Sequence, residues 1–190
     1  EGKVDPKAEM LVTVSWPDNN PDDVDTYVED PAGNVIWYNQ REAGLMHLDR
    51  DDRGMFKDVM LFNDKEVINP LNQEIISFRG LEDGEYVVNV VHYIANGAAP
   101  LPVTVKVEKL NPSVKVIYYQ ALSLTGNGNE QTAIRFTLKG EDVIDLNNRQ
   151  KSLVELTRRG GGKGGPANSG SQGLIDATTG QTTGGTVDQP

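Results

Sequence analysis

Apolar and polar residues alternate in short runs along most of this chain, and Pro, Gly, Asn and Asp punctuate the runs. Alternation with period two places successive side chains on opposite faces of a strand. Met10–Trp16 alternates in this way and is stopped by Pro17 and Asp18-Asn19-Asn20-Pro21. Asp23–Asp30 puts Val24, Thr26 and Val28 on one face and Asp23, Asp25, Tyr27 and Glu29 on the other. Asp30-Pro31-Ala32-Gly33 has the residue order of a type I turn. The β-branched and aromatic run Asn34–Asn39 comes next, which predicts a hairpin.

Gln40–Lys57 has no sustained period and reads as a long loop. Asp58–Phe62 and Glu74–Phe78 are short strand candidates, separated by a polar connection through Asn69-Pro70. Leu81–Val88 holds a glycine turn and then an inward Tyr86. That arrangement resembles the tyrosine corner of immunoglobulin-like sandwiches, and its strand continues to about Ala95. Pro102–Leu110 alternates most cleanly, with Val103, Val105 and Val107 inward and Thr104, Lys106 and Glu108 outward. Further strands are expected at Val114–Leu124, at Thr132–Leu138 with Ile134, Phe136 and Leu138 inward, and at Val143–Leu146. No segment keeps a helical period beyond about two turns. Eight or nine short strands with turns between them predict an all-β chain, an immunoglobulin-like or jelly-roll β-sandwich.

Composition changes this picture at the C-terminal end. Residues 160–190 hold ten of the chain's twenty glycines and no aromatic residue, too little apolar surface to offset the entropy of ordering. The expected organisation is a linker over 1–9, a sandwich over 10–157 and a Gly/Thr-rich tail over 158–190, flexible or ordered by a partner. The partners expected there are other protein chains or copies of this one, with Arg158, Arg159 and Lys163 as a small basic spot.

Charge narrows the function. The net charge of −10 disfavours nucleic acid, whose phosphates would be repelled. There is no cysteine, hence no thiolate chemistry or disulfide frame. No apolar run reaches the roughly 20 residues that span a bilayer, so membrane insertion by this segment is not expected. From Asp18 to Asp64 there are twelve acidic residues against four basic ones. Asp23 and Asp25 share a strand face, and Asp49, Asp51 and Asp52 lie in a segment able to fold over them. Calcium takes six to eight oxygen ligands from such carboxylates and loop carbonyls, which makes these five aspartates candidate metal ligands. The segment is not an EF-hand, because Arg53 occupies a ligand position and Met60 stands where a bidentate glutamate belongs. The alternative is a salt-bridged surface loop in which Arg50 and Arg53 neutralise the aspartates.

Catalytic chemistry finds little support. There is no G-x-S-x-G elbow, and the glycines from Gly160 to Gly165 lack P-loop spacing. His47 and His92 read as edge and core histidines before they read as ligands. A carboxylate pair for glycoside hydrolysis stays open, although aromatics at 6% are thin for a sugar-stacking cleft.

The run from Asp22 to Asn34, DDVDTYVEDPAGN, with Asp49–Asp52 after it, resembles a signature of secreted bacterial β-sandwich domains. These include the pre-peptidase C-terminal domains and an envelope family with a D-V-D-x-x-V-x-D-P-x-G pattern and a later L-D-x-D-D loop. The resemblance covers roughly Met10 to Leu138, and only the two motifs are specific. It implies a non-catalytic appendage, in some relatives calcium-binding through Asp23, Asp25, Asp49, Asp51 and Asp52; Arg50 and Arg53 depart from a bare calcium loop. The chain is therefore expected to be a non-enzymatic structural or interaction module of a bacterial envelope or secreted assembly. The alternative is a calcium-dependent module that binds polysaccharide. A periplasmic or extracellular location is expected, with a signal or anchor removed ahead of Glu1.

Overall fold

A computed structural model describes residues 7–53, 59–62, 65–68 and 71–160 of the chain. Its elements in order are β1 (Met10–Trp16), β2 (Asp23–Glu29), β3 (Val35–Ile36), β4 (Glu42–Ala43), β5 (Met46–Arg50), β6 (Val59–Phe62) and β7 (Lys65–Ile68). They continue with β8 (Asn72–Phe78), β9 (Gly84–Ile94), β10 (Leu101–Lys109), β11 (Lys115–Leu124), β12 (Glu130–Lys139), β13 (Asp142–Asn147) and the helix α1 (Leu153–Arg158). One antiparallel sheet has the order β11-β10-β1-β8-β5-β4 and the other the order β13-β12-β9-β2-β3, while β6 and β7 pair with each other. This is a β-sandwich without barrel closure.

The alternating runs place the core as expected. Val103, Val105 and Val107 of β10 are buried, as are Met10, Val12, Val14 and Trp16 of β1 and Ile134, Phe136 and Leu138 of β12. They meet in one cluster between the sheets. Each such side chain, fully buried, contributes roughly 1.5–3 kcal/mol of hydrophobic stabilisation. The tyrosine corner is also present. The Glu82 N–H donates to Tyr86 Oη at 2.8 Å, and the Tyr86 hydroxyl donates back to the Glu82 carbonyl at 3.1 Å. The Tyr86 ring stacks on Phe136, with centroids 5.1 Å apart.

Three features depart from the sequence reading. The expected loop after Gln40 holds β4 and β5, because β5 finds a partner in β8 that no local period announces. At the β4–β5 turn Gly44 has φ +56°, and a Cβ there would stand 2.4 Å from Asp30 Oδ2. Glycine thus lets this hairpin seat against the β2–β3 turn, where Asp30 accepts from the Asn34 backbone and side chain at 2.8 and 2.7 Å. Second, β7 occupies part of the stretch read as a polar connection; Asn69 and Pro70 lie outside the described residues. Third, α1 runs through Arg158, one residue past the expected boundary. Ser152-Leu153-Val154-Glu155 has the S-x-x-E form of a capping box, and the Glu155 N–H donates to Ser152 Oγ at 3.1 Å. Six residues are too few to display a period, but the box was legible. Leu153 docks the helix on the outer face of the second sheet, in a cluster with Tyr27, Val35, Val87 and Val91. Lys163 and the rest of 161–190 lie outside the described residues.

Candidate metal centre

The two faces of β2 divide as the alternation requires, yet every residue of the strand is buried, including Asp23, Asp25 and Glu29. The acidic face is no solvated rim. The start of the strand is held by Asp22, whose carbonyl accepts from Trp16 Nε1 at 3.1 Å and whose carboxylate lies 3.0 Å from His92 Nε2. His92 is thus a core histidine within a buried ion-pair geometry. β3 pairs with β2 only at Val28 and Glu29, leaving the Thr26 edge open. That edge is met from the other sheet: Glu74, inward on β8, accepts the Thr26 N–H on Oε2 at 2.6 Å.

β5 brings the third group. Its register against β8 jumps between Leu48 and Arg50, so Asp49 is the extra residue of a bulge. A bulge bends its strand and re-aims the residues beyond it, here Asp51 and Asp52. One carboxylate oxygen from each of Asp25, Asp51 and Glu74 lies within 4.8 Å of the other two. Ligands about 2.3–2.6 Å from a common calcium ion can be that far apart.

The five expected ligands divide. Asp25 and Asp51 join Glu74 in the cluster. Asp23 stands beside them, close enough for Asp51 and Asp52 to act on its titration. Asp52 is engaged elsewhere, accepting from Arg50 at 2.8 Å and from the Gln73 N–H at 3.2 Å. Asp49 turns toward His47, with 3.8 Å between Oδ1 and Nε2. Arg53 reaches Asp51 Oδ2 at 3.4 Å and Arg41 reaches it at 3.7 Å, so one oxygen of Asp51 is compensated. Arg50 and Arg53 therefore act as the ion-pair alternative envisaged, but on Asp52 and on one side of Asp51 only.

The remaining oxygens have no such help. Among the described residues, Asp25 Oδ2, Asp51 Oδ1, Asp23 Oδ1 and Glu74 Oε1 are buried without a hydrogen-bond partner, as is Asp49 Oδ2 on the side toward His47. A buried carboxylate oxygen without a donor is costly, and buried like charges raise the cost. The titration of the cluster reflects that cost. Burial, then the charge of Asp51, pushes Asp23 up to about 6 despite the opposing pull of Arg53. Burial and the neighbouring Asp23 and Asp51 push Asp25 well above the carboxylate range. Glu74 is raised by burial first and Asp25 second, with hydrogen bonding from Thr26 working against the shift. Such a set holds protons or takes a cation.

Glu74 was missed at the sequence level. It sits in Asn72–Phe78, where the pattern puts Asn72, Glu74, Ile76 and Phe78 on the buried face. A glutamate at an inward position of a strand was the available signal.

The fold and this cluster define a β-sandwich with a buried polyacidic site at one strand edge. No family model, curated protein or solved structure matches the chain.

Proposed function

We propose that this chain is a non-enzymatic binding module in which a divalent cation, calcium, occupies the site of Asp25, Asp51, Glu74 and Asp23 and sets the ligand-binding edge. The observation that carries this reading is the buried carboxylate oxygens of Asp23, Asp25, Asp51 and Glu74 that no donor among the described residues reaches. The cation would join β2 of one sheet to β8 and the end of β5 in the other, fastening the sandwich where β3 leaves it open. Calcium is favoured over magnesium because it accepts irregular, oxygen-only ligand sets, whereas magnesium demands near-ideal octahedra. A secreted or periplasmic location suits such a site, since extracellular modules bind calcium with Kd of about 10⁻⁴–10⁻³ M. Terbium is a direct probe, excited through neighbouring aromatic rings. Sensitised emission that calcium competes away, and that Asp25→Asn removes, is the expected result. Absence of saturable terbium or calcium binding would rule this reading out.

A second reading, an assembly module that pairs with copies of itself, is favoured by β11. Among the described residues this ten-residue strand has a neighbour on one side only, and it carries no charge from Val116 to Leu124. Val114, Val116 and Tyr119 on or beside it are exposed. The strand carries a bulge at Ile117, one of the devices that blunt natural edges, but beyond it Tyr118–Leu124 is uncharged and on a −10 chain can approach its own copy. Light scattering after gel filtration tests it. A dimer that Tyr119→Lys dissociates supports pairing through β11; a monomer at high concentration excludes it.

A further inference from the structure

We infer that the cleft between the β2–β3 hairpin and α1 is the ligand site of this module, and that its ligand is a neutral polysaccharide. The cleft has a volume of about 530 Å³, within the range of small-molecule and cofactor sites. Its aromatic wall is continuous. Tyr27 stacks on Trp37 with centroids 5.6 Å apart and 21° between planes, Trp37 meets Tyr38 edge-on at 4.8 Å, and Tyr38 meets Tyr93 at 5.5 Å. Composition alone made aromatics look too sparse for such a surface, but four of the chain's twelve are gathered in one row.

Tyr27 is buried beneath α1 with Trp37 packed against it, and core packing does not account for the rest of the row. Trp37 and Tyr38 are half-buried and Tyr93 is 48% exposed. Tyr93 is also the extra residue of a bulge, since Asp23 pairs with Ile94 and Val24 with His92. The bulge turns a ring toward the wall that a regular strand would place elsewhere.

The polar lining selects among ligands. Glu130 has its charge satisfied, accepting from Asn89, Ser152 Oγ and the Leu153 and Val154 N–H groups. Glu155 is paired with Arg159 at 3.3 Å. The rest of the lining is Arg158, the aromatic faces, the Thr157 hydroxyl, which donates to the Val154 carbonyl at 3.0 Å, and the phenols of Tyr38 and Tyr93, which hydrogen-bond each other. An anionic polymer would meet Asp25 nearby and the −10 field of the chain. A cationic ligand would be drawn by that field, but the two carboxylates of the lining, Glu130 and Glu155, are already engaged and Arg158 stands beside them. A sugar chain without charge matches both parts of the lining: its C–H faces stack on rings, and its hydroxyls meet the phenols and rim.

The ligand assignment rests on the proposed binding function, and the two are coupled through β2. Asp25 and Tyr27 lie two apart on one face of that strand, so the ion that fixes Asp25 also fixes the first ring of the row.

The experiment titrates the calcium-saturated full chain with cellohexaose, xylohexaose, maltohexaose and chitohexaose, with polygalacturonate as the anionic comparison. Heat of binding and tryptophan fluorescence are the readouts. At least one neutral hexasaccharide is expected to bind, with affinity reduced by about tenfold in Tyr93→Ala, the order expected for one lost stacking partner. Trp37→Ala should remove binding, and Ile144→Ala, at an exposed position on β13 outside the cleft lining, should leave it unchanged. Tyr93 is exposed, so its variant remains informative if Trp37→Ala fails to fold. No binding by any neutral probe while terbium still binds would overturn the assignment and leave the cation reading standing. Preference for polygalacturonate, or indifference to Tyr93→Ala, would overturn it too. Sugar binding by a chain that takes up no terbium would keep the cleft and discard the cation.

Discussion

Glu74 Oε2 accepts the backbone N–H of Thr26 at 2.6 Å, so a side chain of one sheet completes the open strand edge of the other. Its second oxygen, Oε1, is buried with no partner among the described residues, and one oxygen of this carboxylate lies in the group formed with Asp25 and Asp51. Glu74 therefore has a structural bond and an uncompensated charge at once. Glu74→Gln separates them, because an amide oxygen still accepts from Thr26 while the charge is gone. In chelator this variant should melt no lower than the parent protein, since the amide replaces a carboxyl that burial and Asp25 already hold toward its neutral form. In calcium it should lose most of the stabilisation seen in the parent. A variant that unfolds in both conditions would make Glu74 a purely structural acid.

Calcium itself should raise the thermal midpoint at fixed ionic strength. A ligand that binds only the folded chain at a hundredfold excess over its Kd stabilises it by about 2.7 kcal/mol. For a chain of this length that corresponds to about 5–10 °C. Magnesium should give a smaller rise. Superimposable scanning-calorimetry traces in calcium and in chelator would leave Asp25, Asp51 and Glu74 as a buried cluster that takes no cation.

The cation-free protein should lose stability as pH rises. Folded-state values raised above the unfolded ones mean that the native chain holds more protons across that window, and its advantage disappears as they leave. The unfolded carboxylates titrate near 4. Asp23 is pushed up to about 6, with Asp25 and Glu74 also raised. Urea midpoints in chelator should accordingly fall from about pH 4 through pH 6 and beyond, opposite to the usual acid denaturation of paired carboxylates. Saturating calcium should flatten the curve, because the ion favours the ionised forms. Rising stability over that interval in chelator would contradict the described burial of the cluster.

Tyr86→Phe should cost about 1–3 kcal/mol, since both hydroxyl bonds to the Glu82 backbone are lost while the ring keeps its place on Phe136. Chemical denaturation should show a lower midpoint with unchanged slope, and calcium binding should persist. Loss of calcium binding in this variant would mean that the corner and the acidic edge are one cooperative unit.

Val105→Asp against Lys106→Asp tests the strand register. Val105 is fully buried between the sheets, whereas Lys106 points outward and pairs with Glu108. The first change buries an unpaired charge and should abolish cooperative unfolding. The second should move the midpoint little.

Much of the sandwich was legible in the chain, because a strand with one buried face must alternate and its turns demand particular residues. β1, β2, β10 and β12 could be read with their inward faces, and Tyr86 announced its corner through the glycine turn before it. The acidic concentration was equally plain, and Asp25 and Asp51 could be named from it. Tertiary structure decided the rest. Which strand covers β2, that a bulge at Asp49 swings Asp51 across to it, and that Glu74 arrives from the opposite sheet are consequences of pairings distant in sequence. Periodicity reports which side of a strand is buried, not what it is buried against. A partner 48 positions away is therefore invisible until the sheets are packed. The same holds for Tyr27, Trp37, Tyr38 and Tyr93, ordinary strand residues in the sequence that become one surface only when β9 lies beside β2.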